Sequence, residues 1–87
     1  MAASTIELIS RVRGLQKTAM DLSTTLQASG TKLSKSIGVL HSMTKGSKSG
    51  SDAIAASRAA VTSLEKAVTS LTSLKNSCGD FISIAMQ

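Results

Sequence analysis

Four sets of residues in this chain have the right chemistry to act, and none has the right company. His41 is the only imidazole, and no cysteine, histidine or carboxylate cluster lies beside it to complete a catalytic triad or a metal site. Such a histidine reads as an exposed or helix-capping side chain. Cys78 is the single cysteine, so an internal disulfide is excluded. It falls on an apolar stripe and reads as a small buried hydrophobe, not a nucleophile. The acids Glu7, Asp21, Asp52, Glu65 and Asp80 are too scattered to supply paired carboxylates. The run Lys45-Gly46-Ser47-Lys48-Ser49-Gly50-Ser51 has glycine and lysine, but neither the spacing nor the preceding strand of a phosphate-binding loop. The expectation is a protein that is not an enzyme and calls for no cofactor and no metal.

Composition points the same way. The chain has 87 residues, one domain at most, with no Trp, no Tyr and one phenylalanine, Phe81. More than a quarter of it is Ser or Thr. This is enough apolar material for a seam between helices and little for a self-sufficient globule. The net charge of +5 comes from ten thinly spread basic side chains. They form no dense basic face, and no aromatic is placed to stack bases, so nucleic-acid binding is not expected. No run of eighteen apolar residues exists, so no membrane insertion is expected. Nor does the N-terminus have the basic and apolar regions of a cleaved signal peptide.

The elements that carry these residues follow from two long periodic segments around the glycine-containing run. The expected architecture is all-α: an antiparallel two-helix hairpin with a helix over 5–44, a loop over 45–51 and a helix over 52–85. Ser4 and Glu7 fit a capping box at the start of the first helix. Its seam is read as Leu8, Val12, Leu15, Ala19, Leu22, Leu26, Ser29, Leu33, Ser36 or Ile37, and Leu40, in steps of three and four. Ile9 and Ile37 widen that stripe. The Ala28-Ser29-Gly30-Thr31 stretch is a candidate bend or close-approach point. Gly46 is a plausible C-cap and, with Gly50, marks the turn. The second helix is expected to start at Ser51 or Asp52.

The second seam reads Ile54, Ser57, Val61, Leu64, Val68, Leu71, Lys75, Cys78, Ile82 and Ala85. A flanking row of Ala53, Ala60, Ala67, Leu74 and Phe81 broadens it beyond what one helix can cover. Two helices with one seam lack a second layer, so the native unit is expected to be a four-helix bundle completed by a partner or a second copy. The candidate interface residues are Leu8, Val12, Leu15, Leu22, Leu26, Leu33, Ile54, Val61, Leu64, Val68, Leu71, Leu74, Phe81 and Ile82.

This architecture resembles the small helical-hairpin proteins of bacterial type VII secretion, the WXG-like proteins and the helical partners of LXG toxins. The resemblance covers the whole chain. The Trp-x-Gly turn of that family falls on Thr44-Lys45-Gly46, where the glycine is kept. The aromatic of its C-terminal export motif falls on Phe81, while the acid four residues on is Ala85 here. Asp80 and Phe81 are therefore the candidate export-signal region. The resemblance implies a secretion substrate or targeting partner that binds a toxin's helical domain or a sister hairpin. It also implies a cytoplasmic stage before export without a cleaved signal peptide. Two other classes fit the same hairpin: a self-assembling structural subunit of the type III needle or rod kind, and a cytosolic regulatory or chaperone hairpin. Needle subunits usually carry a proline in the turn, and this chain has none.

Overall fold

The computed structural model describes residues 4–87. Thr5–Met43 form one unbroken helix, α1, and Lys48–Ala85 form a second, α2. They fold back on each other as a hairpin 63 × 21 × 16 Å in extent. Among the described residues there is no strand.

Local chemistry sets the ends. Ser4 has extended backbone, and its hydroxyl accepts the Glu7 N–H at 3.1 Å, satisfying one orphan donor of the first turn. Glu7 also sits at the positive end of the α1 dipole. At the other end Thr44 is the C-cap: its N–H and its hydroxyl both donate to the Leu40 carbonyl, at 2.9 and 2.7 Å. Gly46, expected as the cap, instead makes the reversal with φ +86, a conformation that costs an L side chain about 1–2 kcal/mol.

The turn is shorter than the sequence pattern suggests. Only Thr44 to Ser47 separate the helices, and α2 starts at Lys48, not near residue 52. The reason is Ser47. Its hydroxyl accepts the Gly50 N–H at 3.2 Å, so it supplies the N-cap that Ser51 or Asp52 was expected to give. Lys48 and Asp52 then pair one turn apart at 3.2 Å. Gly50 therefore lies inside the first turn of α2 and is buried; a Cβ there would clash with the Thr44 side chain. A small residue is needed because an added Cβ would run into the Thr44 side chain that ends α1.

The core is a single seam of modest side chains. Among the described residues, Ala19, Ile37, Ile54 and Cys78 are the buried apolar ones, and no large side chain is fully enclosed. In α2 the half-buried and buried positions follow the expected seam from Ile54 to Ala85 at every step. In α1 they do not. The covered residues are Ile9, Val12, Gln16, Ala19, Ser23, Leu26, Gly30, Leu33, Ile37, Leu40 and Thr44. Val12, Ala19, Leu26, Leu33 and Leu40 are in the seam as expected. Leu8, Leu15, Leu22 and Ser29 are replaced by their C-terminal neighbours, and of the two residues expected at the next position, Ser36 or Ile37, the seam takes Ile37.

The centre of the α1 face is thus turned by about half a residue step, roughly 50°, which keeps Val12, Ala19, Leu26, Leu33 and Leu40 in the seam and brings in the neighbours of the alternate positions. Two contacts show what the turned register gains. The Gln16 side chain donates to the Lys75 carbonyl at 3.4 Å. Gly30 faces Leu64, with 3.9 Å between a Cβ built on the glycine and the leucine methyl. The Ala28–Thr31 stretch does not bend the helix, and at Gly30 an added Cβ would meet Leu64 only at ordinary contact distance.

Candidate functional site

Each seam can be written as a heptad with a and d positions facing the other helix. The flanking e and g rows then border the two edges of the seam. In α1 the g row is Leu8, Leu15, Leu22, Ser29, Ser36 and Met43; in α2 it is Ala53, Ala60, Ala67, Leu74 and Phe81. The clefts of the hairpin locate the e rows. One is lined by Met20 and Gln27 of α1 with Thr72 of α2, and another by Gln27 and Ser34 with Glu65. A third, at the tip, is lined by Ile6 and Arg13 with Met86. The e rows of both helices therefore share one edge, and the g rows share the opposite one.

The e edge is open. Its largest cleft, about 700 Å³, has Leu26, Gly30, Leu64 and Val68 as an apolar floor and Lys35 and Glu65 among its walls. Arg13 and Arg58 occupy e positions as well.

Both edges expose apolar side chains: Ile6, Met20 and Met86 stand on the e edge, and the g edge carries more of them. Leu8 is 42% exposed, Leu15 48%, Leu22 49%, Leu74 37% and Phe81 42%. All five lie toward the tip where the chain ends meet, which is also where the Arg13 guanidinium lies 3.4 Å from the Met86 sulfur. Adjacent c positions add Val39 and Ile84, 60% and 69% exposed.

The structure thus divides the candidate interface residues into two groups. Val12, Leu26, Leu33, Ile54, Val61, Leu64, Val68, Leu71 and Ile82 hold the two helices together. Leu8, Leu15, Leu22, Leu74 and Phe81 stand on the edge. Gly46 is in the turn and Gly50 is in α2. Asp80 is exposed one position before Phe81, on the outer side of α2. The seam role of Gln16 and Ser23 was missed, because leucine content favours the neighbouring heptad.

Charges on the surface are mostly spent locally or left free. Lys17 and Asp21 pair at 2.8 Å within α1, and both are well exposed. The Asp21 carboxylate, by accepting the hydrogen bond and by its charge, raises the Lys17 ammonium above the ordinary lysine value. Hydroxyls are spent locally too. Thr18, Thr24, Thr25, Thr31, Ser57, Thr62, Ser63 and Thr69 donate to carbonyls one turn back in their own helices. A Ser/Thr surface bonded in this way offers fewer free donors to water than its composition suggests.

Among the described residues, no three of His, Cys, Asp and Glu come together as a metal site. Among the described residues, no helix is long and apolar enough to cross a membrane. Comparison with family models, with curated proteins and with solved structures gave no match. The class defined by fold and surface is a helical hairpin with exposed apolar side chains along both edges, more of them on the g edge.

Proposed function

We propose that this chain is a non-enzymatic interaction protein that works by laying its apolar g edge against another helical layer. The observation that carries the reading is that edge: five large side chains, three on α1 and two on α2, each more than a third exposed, while among the described residues no large side chain is fully enclosed. Placing such side chains in contact with a partner contributes about 25 cal/mol per Å² of apolar surface removed from water. An exposed row of this size marks a contact surface.

The finer proposal is that the hairpin is a type VII secretion substrate or targeting partner for the helical N-terminal domain of a secreted toxin. Its support is the resemblance in architecture, the glycine-bearing reversal at Gly46, and Phe81 exposed near the end of α2. The test is export. A tagged chain is expressed in cells with a type VII apparatus and in cells lacking its ATPase. Recovery from the medium only in the first is the expected result; equal recovery from both would sink the secretion reading.

A further inference from the structure

The net charge of +5 is thinly spread along the sequence, but folding gathers it at one end. The half of the hairpin nearer the turn, residues 26–67, holds six basic and two acidic side chains. The half that carries the chain ends holds four basic and three acidic ones. The hairpin is thus basic at the turn and nearly balanced at the tip, where the exposed leucines and Phe81 stand.

The basic end has a cleft. A space of about 570 Å³ at the turn is lined by His41, Lys45, Ser47, Lys48, Ser51 and Arg58. These residues come from α1, the turn and the first three turns of α2, and only the reversal at Gly46 brings them together. His41, Ser51 and Arg58 are e positions, so the cleft opens on the edge opposite the apolar g row.

Its cations are available. The ion pairs of the described residues are Lys17–Asp21 and Lys48–Asp52, so neither Lys45 nor Arg58 has a carboxylate partner. Lys48 shares its charge with Asp52, and that carboxylate does not line the cleft. The hydroxyls are available too. Ser47 accepts the Gly50 N–H but donates to nothing, and Ser51 makes no side-chain hydrogen bond among the described residues. This contrasts with the threonines farther along both helices, whose hydroxyls donate one turn back.

We infer that this cleft binds a compact polyphosphate, a ligand with two adjacent phosphate groups. Two unpaired cations, a shared third and two hydroxyls offer more donors than a single carboxylate could accept. Guanidinium and ammonium donors match phosphate oxygens, and such charge-assisted bonds are the strong ones. The volume falls within the range of small-ligand sites. No aromatic lines the cleft to stack a base, and the cations form a cluster and not a stripe, so a nucleic-acid strand does not fit. The inference goes beyond the interaction-protein reading and uses the other edge of the molecule.

The full chain is titrated with inorganic pyrophosphate at low ionic strength by calorimetry. One saturable site per chain is expected, weakened by added salt. Arg58→Gln and Lys45→Gln should each keep wild-type helicity and weaken binding roughly tenfold or more, the loss that goes with one charge-assisted hydrogen bond. Arg11→Gln, which removes the same charge at the far end, should change it by less than about twofold. The source of the phosphate is read with vesicles of phosphatidylcholine, with and without phosphatidylinositol bisphosphate. Sedimentation with the bisphosphate vesicles alone, reversed by free pyrophosphate, assigns the site to a lipid headgroup. Pyrophosphate binding with no vesicle binding assigns it to a free polyphosphate. Absence of saturation by pyrophosphate, or equal losses in Arg11→Gln and Arg58→Gln, would reveal diffuse attraction to a basic protein and overturn the assignment. Export without ATPase dependence would leave this site standing, and absent pyrophosphate binding would leave the g edge standing.

Discussion

Single residues at the turn carry more of the fold than their size suggests. Gly50 is packed so tightly on Thr44 that Gly50→Ala is expected to destabilise the hairpin by about 1–3 kcal/mol, the range for overpacking. Ser47→Ala removes the α2 cap and should cost about 1 kcal/mol. Urea denaturation followed by circular dichroism measures both, and an unchanged midpoint for Gly50→Ala would show that the helices can part at the turn. Gly14 and Gly38 behave oppositely: nothing lies within 4 Å of an added Cβ at either. Gly14→Ala and Gly38→Ala should each stabilise by roughly 0.5–1 kcal/mol through helix propensity, seen as a higher melting temperature. The Lys17–Asp21 pair gives a pH signature. Because the folded state raises the Lys17 value, its contribution is present below the unfolded value of 10.5 and is lost as pH rises beyond it.

The two kinds of leucine separate at the level of the helix. Leu64 and Leu71 are half-buried in the seam, so Leu64→Asp or Leu71→Asp buries a charge between α1 and α2. Both are expected to abolish helicity together with binding. Leu15→Asp, on the g edge, is expected to keep helicity and lose only association. Circular dichroism with light scattering on the same samples checks this, and loss of helicity in Leu15→Asp would move Leu15 back into the seam. The turn is the other element-scale feature. Gly/Ser residues inserted between Lys45 and Gly46 avoid the Ser47 cap, and closure entropy grows slowly with loop length. Such insertions should cost well under the loss of the cap itself.

For the whole molecule, the hairpin is a thin layer. It is 16 Å across at its narrowest and lacks a second layer to cover the g edge. Its stability should therefore depend on protein concentration, because a partner that binds only the folded state stabilises it by mass action. Thermal melts over a hundredfold dilution are expected to shift downward; a melting temperature independent of concentration would mark a self-sufficient monomer.

Much of this was written in the local sequence. The absence of proline, the period of three and four, the Ser4 cap and the full α2 seam all follow from short-range rules, and the described helices obey them. Three features needed the folded chain. Ser47, not Ser51 or Asp52, caps α2, because several serines compete there and only packing against Thr44 selects among them. The rotation of α1 was hidden because two heptads overlap one residue apart. The leucine-rich heptad has the greater hydrophobicity, but the seam takes the neighbour that fits α2, with Gly30 under Leu64 and Gln16 bonded to Lys75. That choice is a matter of shape between two helices, which no single helix encodes, and it is what leaves Leu8, Leu15 and Leu22 on the edge beside Leu74 and Phe81.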